Sequence, residues 1–153
     1  MDSIKPWPMK NIIILAFTLI LAARPFYGLS QCKSFTKDVC IPKLNPYIYN
    51  GQLNSAQLNE GDVAELMLTF YSNQDYRIAV CGQNNLGKIQ FNLLDVQRNL
   101  IFSNKDHNFS DTWDFTSNSS QQLIIEIIVP EGANPEKIES GCVSILVGFL
   151  DKK

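Results

Sequence analysis

From Val63 onward the chain alternates apolar and polar residues with period two, and that alternation excludes most helical folds. In VAELMLTFY (63–71), Ala64, Leu66, Leu68 and Phe70 share one side, and Glu65, Met67, Thr69 and Tyr71 the other. SNQD (72–75) reads as a turn, and YRIAVC (76–81) resumes the alternation with Tyr76, Ile78 and Val80 on one face. The two segments together read as a hairpin. KIQFNLLD (88–95) repeats the pattern with Ile89, Phe91 and Leu93, and a turn at Val96–Arg98 leads into NLIFSN (99–104). TWDFT (112–116) puts Trp113 and Phe115 on one side. QLIIEIIVP (122–130) and CVSILVGFL (142–150) are the most apolar segments and are expected at the centres of sheets. Pro130 ends the former, because it cannot donate to a ladder. With PYIYNG (46–51) in front, the pattern predicts about eight short strands in an all-β, antiparallel sandwich or jelly-roll-like fold. No sustained helical periodicity is read after residue 30.

Residues 1–30 are expected to be a signal peptide rather than part of the fold. Lys5 and Lys10 precede IIILAFTLILAA (12–23), an apolar run of 12 residues, short of the roughly 20 that span a bilayer. Arg24 and Pro25 end the run, and cleavage is expected after Ser30. No stable membrane span is then expected. Residues 31–153 read as a single domain, with 31–45 as a disulfide-clipped N-terminal segment. Without the leader, 10 basic and 14 acidic residues leave a charge of −4 with no basic cluster. Such a chain is poorly suited to nucleic acid.

Four cysteines remain: Cys32, Cys40, Cys81 and Cys142. An even number in an exported chain points to two disulfides, for which three connectivities exist. The expected pairs are Cys32–Cys40, a local clip, and Cys81–Cys142, a cross-strand bridge worth roughly 4 kcal/mol by loop entropy. No C-x-x-C occurs and His107 is the single histidine, so a zinc site is poorly supported.

The segments CIPKLNPYIYNGQLNSAQLNEGD, AELMLTFYSNQDYRIAVC, FNLLDVQRNLIFSN and GCVSILVGF together resemble a group of small, exported, uncharacterised bacterial β-sandwich proteins. More loosely, the chain is similar to bacterial pre-peptidase C-terminal type domains. That likeness is carried by Gly51, Leu53, Gly61 and Asp62, then Tyr76–Val80, then Leu94–Asn99. The resemblance implies a secreted β-sandwich that accompanies enzymes without itself catalysing a reaction.

Three candidate sites follow from residue chemistry. Tyr47 and Tyr49, two apart in NPYIYNGQLNSAQLNEGD (45–62), would share a strand face while Ile48 turns to the core. With Asn50 and Gln52 they could stack on and hydrogen-bond a sugar; the plainer account is an edge strand followed by turns at Asn50-Gly51 and Glu60-Gly61-Asp62. Asp106, Asn108, Asp111 and Asp114 supply hard oxygens suited to calcium, although Asn and Asp are also ordinary loop formers and the spacing is not that of an EF-hand. Glu65 and Glu126 could serve as the two carboxylates of a small hydrolase. His107, in the polar stretch SNKDHNFSDTWD (103–114), reads as an exposed loop residue. The sequons at Asn108 and Asn118 are treated as chance. The reading favoured is a non-catalytic, periplasmic or secreted module contacting an envelope or secreted protein. A carbohydrate-binding module is the alternative, and a hydrolase stands third.

Overall fold

The computed structural model describes residues 28–151 with the exception of residue 135, so the expected signal peptide lies outside the described residues up to residue 27. Among the described residues the fold is an antiparallel β-sandwich of nine strands in two sheets. These are β1 (Ile48–Tyr49), β2 (Asn54–Asn59), β3 (Val63–Phe70), β4 (Gln74–Gly82), β5 (Gln90–Leu94), β6 (Leu100–Ser103), β7 (Thr112–Ser117), β8 (Gln121–Ile128) and β9 (Ser140–Phe149). One sheet runs β1-β9-β4-β7 with β2 also pairing β9; the other runs β3-β8-β5-β6. Both apolar strands are interior, as their composition requires: β9 lies between β4 and the β1/β2 edge, and β8 between β3 and β5.

The inward residues of the two sheets form the core. Phe70, Ile78, Phe91, Leu93, Leu123, Ile125 and Ile127 are almost completely buried there. Phe70 meets Tyr76 edge-on at 5.0 Å and Phe115 at 5.2 Å, an arrangement that ring quadrupoles favour. The two glycine-bearing turns adopt positive φ, +83° at Gly51 and +82° at Gly61, a conformation open to glycine at little steric cost. The plainer account of the Asn45–Asp62 stretch therefore holds for its backbone.

Three expectations are corrected. The segments 63–71 and 76–81 are not a hairpin: β3 pairs β8 in one sheet, whereas β4 pairs β7 and β9 in the other. Alternation reveals a strand with one buried face but does not identify its neighbour. Residues 28–44 are helical, running from α1 (Gly28–Phe35) through a π-helical turn (Thr36–Cys40) into a 3-10 turn (Ile41–Leu44). This segment covers the outer face of the five-stranded sheet, where Cys40 and Leu44 pack on Ala79, Cys81 and Leu146 as a second, smaller core. Finally, the disulfide joins Cys32 to Cys142, with Cα atoms 5.2 Å apart, in place of Cys32–Cys40 and Cys81–Cys142.

The physical reason for the last correction lies in register and helix period. β4 and β9 are antiparallel neighbours, as the expected bridge required, but Cys81 stands opposite Ser144 and Cys142 lies two residues further along. Cys32 and Cys40 sit two turns apart on one helical face, pointing at the sheet rather than at each other.

Candidate functional site

The outer face of the four-stranded sheet is built in rows by strand register. Glu65 stands opposite Glu126, which stands opposite Asn92, which stands opposite Ser103. The next row is Met67, Ile124, Leu94 and Leu100. A β-bulge between Leu93 and Leu94 leaves Ile101 outside the ladder. Like charges directly across a ladder repel. The repulsion between Glu65 and Glu126 is offset by Arg98 in the β5–β6 turn.

That turn is set by Asp95. Its carboxylate accepts from the Asn99 backbone and side-chain nitrogens, both at 2.8 Å, and its carbonyl accepts from the Arg98 N–H at 2.9 Å. Arg98 is thereby held at φ 68°, and its side chain reaches back across the apolar row to both carboxylates. Its guanidinium donates to Glu65 Oε1 at 2.5 Å and Oε2 at 3.2 Å, and to Glu126 Oε1 at 3.4 Å. Asn92 Nδ2 donates to Glu126 Oε2 at 2.7 Å. The Arg98 hydrogen bonds hold the Glu65 carboxyl below its usual range.

The structure thus brings together the two carboxylates named from sequence. A glycoside hydrolase needs one acid of the pair to be raised so that it can donate a proton. Here Glu65 shifts the opposite way, and both carboxylates are occupied by Arg98. Beside the clamp this face exposes apolar side chains: Val63 and Leu100 are 60% exposed and Met67 53%, while Ile124 and Leu94 are buried.

The tyrosine surface is arranged otherwise than expected. Tyr47 and Tyr49 share a side, as expected, but it is the covered outer face of the five-stranded sheet, and Ile48 is half exposed instead of in the core. The Arg77 guanidinium covers the Tyr47 ring at 4.6 Å from its centroid. It also donates to both Asp114 oxygens at 2.6 Å and to the Asn45 carbonyl at 2.7 Å. The Tyr49 ring packs against the smaller core with its hydroxyl buried, and burial pushes the phenol up. The pair therefore presents no open platform for a sugar ring. Asn50 and Gln52 hydrogen-bond to each other beside the β1–β2 turn.

The acidic loop is likewise divided. Asp106 and His107 belong to a 3-10 turn (Asn104–His107), Asn108 follows in the left-handed conformation, and Asp114 lies on β7. Asp111 pairs with Lys43 and Asp114 with Arg77. Among the described residues, no group of three or more His, Cys, Asp or Glu side chains converges in a way that could hold a metal. The four oxygen donors named for calcium are therefore dispersed, Asp111 onto Lys43 of the helical cover and Asp114 onto Arg77 of the neighbouring strand β4. His107 is exposed, as read, and its ring stacks on Phe102 at 5.0 Å.

Two features escaped the sequence reading. Cys32, Thr36, Cys40 and Leu44 recur every four residues and are all buried, a helical signal that short polar spacers conceal. Arg98 carried no signal, since its partners lie 33 and 28 residues away along the chain.

Fold and site together define an antiparallel β-sandwich with a disulfide-anchored helical cover on one sheet and a bare face on the other. No family model matches the chain, and no curated protein matches it. Among solved structures it is similar to the periplasmic lysozyme inhibitor of g-type lysozyme, PliG, from Aeromonas hydrophila. That similarity has 18% identity and a TM-score of 0.44, over 64% of this chain and 88% of that one.

Proposed function

We propose that this chain is an exported, non-catalytic module that binds another envelope or secreted protein through the outer face of its four-stranded sheet. The observation that supports this reading is the difference between the two outer faces. One is covered by residues 28–44, whereas the other leaves Val63, Met67 and Leu100 in solvent around the Glu65–Arg98–Glu126 clamp. Exposed apolar side chains grouped on a rigid sheet gain about 25 cal/mol per Å² when a partner covers them. The clamp beside them supplies a satisfied polar rim, the usual setting of an interface hot spot. Export is supported by the apolar leader in the sequence and by the Cys32–Cys142 disulfide, a bond that persists in oxidising compartments.

The test uses immobilised residues 31–153 exposed to envelope and secreted fractions of the source organism, with a Met67→Asp/Leu100→Asp variant in parallel. The expected result is a protein retained saturably by the natural chain and lost from the variant, whose Tm stays unchanged because both positions are exposed. Equal retention by the two chains would remove this face from the reading. Retention of polysaccharide, abolished by Tyr47→Ala, would favour the carbohydrate-binding alternative.

A further inference from the structure

The helical cover meets the five-stranded sheet through three successive rungs. At the first, Cys32 is bonded to Cys142. One turn on, Thr36 and Ser144 share a hydrogen bond at 2.6 Å, with both side chains fully buried. Another turn on, Cys40 arrives beside Cys81, the residue that register places directly opposite Ser144 on the neighbouring strand. Cys40 is 0% exposed and Cys81 2%. The two side chains pack within the same apolar cluster, with Leu44, Ala79 and Leu146. Both are free thiols in the structure.

We propose that Cys40 and Cys81 form a second disulfide in the exported protein, so that the cover is stapled at the first and the third of these rungs. Four cysteines allow one partner arrangement once Cys32–Cys142 exists, and this contact supplies it. The oxidant is a disulfide of the thiol-exchange class, for which oxidised glutathione is the probe. The Cys40 thiolate attacks one sulfur of the donor, forming a mixed disulfide and releasing one glutathione thiolate. The Cys81 thiolate then attacks the Cys40 sulfur, closing the bridge and expelling the second glutathione. The two cysteines lose two electrons, the donor gains them, and the two thiol protons end on the released glutathiones. Since both sulfurs are buried, the exchange belongs to the stage of folding before the cover docks.

The experiment maps disulfides in residues 31–153, the form expected after leader removal and free of substitutions, refolded from the reduced and denatured state in a glutathione redox buffer. Exchange is quenched with acid, and alkylation follows under denaturing conditions. Trypsin separates all four cysteines, because Lys33, Lys37, Lys43, Arg77 and Lys88 lie between them. The expected product is four hydrogens lighter than the reduced chain rather than two. It takes up no alkylating agent and yields the peptide of Cys40 linked to that of Cys81. Alkylation at both Cys40 and Cys81, or a peptide joining Cys40 to Cys32, would overturn the proposal. The mapping reads the natural chain, so the outcome does not depend on any variant folding.

Discussion

Arg98 shows how much one side chain decides on the four-stranded face. Removing it in Arg98→Ala leaves Glu65 and Glu126 opposed across the ladder without a cation. The folded carboxyl of Glu65 lies below its ordinary value of 4.5. Its contribution is therefore complete above that value and fades as pH falls through the lowered one. Urea denaturation at several pH values should show Arg98→Ala less stable than the natural chain at pH 7. The difference should close in acid; a gap that is constant with pH would place the effect elsewhere. Asn104 is the buried counterpart. Its Oδ1 accepts from the Phe91 N–H at 2.9 Å, and its Nδ2 donates to the carbonyls of Ile89 and Ser110, both at 3.1 Å. Asn104→Ala removes three hydrogen bonds, one of them fully buried, and should cost about 3 kcal/mol in the same measurement. An Asn in a polar stretch reads as a loop former, so this anchoring role was hidden in the sequence.

At the scale of the element, the strands were legible because each has one wet and one dry face. β3 is the plainest case: its exposure alternates along its whole length, as Ala64, Leu66, Leu68 and Phe70 required. The helical cover was not legible. Its buried stripe consists of Cys32, Thr36, Cys40 and Leu44, of which Leu44 alone is a large aliphatic, so hydrophobicity gives little warning of the period. Thr36 Oγ1 bonds to the Cys32 carbonyl at 2.7 Å and to Ser144 at 2.6 Å, which ties helix and sheet together inside the smaller core. Thr36→Val keeps the shape but leaves the Ser144 hydroxyl without this partner. We expect a loss of about 1–2 kcal/mol. Hydrogen exchange should show faster opening in residues 32–44 and little change in β3, β5 and β8. Uniform acceleration throughout the chain would show that the cover and the sandwich open as one unit.

For the whole molecule, the Cys32–Cys142 bond spans 110 residues and ties the first described element to the last strand. Closing a loop of that length should stabilise the fold by about 4 kcal/mol through the unfolded chain. A Cys32→Ala/Cys142→Ala variant compared with the natural chain by denaturant titration measures it directly; a loss below about 1 kcal/mol would mean that the unfolded ensemble is already compact. The sequence by itself determined the class of fold, the central positions of β8 and β9, and the turns at Gly51 and Gly61. These follow from period-two burial and local backbone sterics, which act between near neighbours. Tertiary structure alone decided which sheet each strand joined, which cysteines met, and that Glu65, Glu126 and Arg98 share one face while the donors of the acidic loop part company. Those outcomes depend on register between strands far apart in the chain, where a shift of two residues replaces Cys142 by Ser144 opposite Cys81.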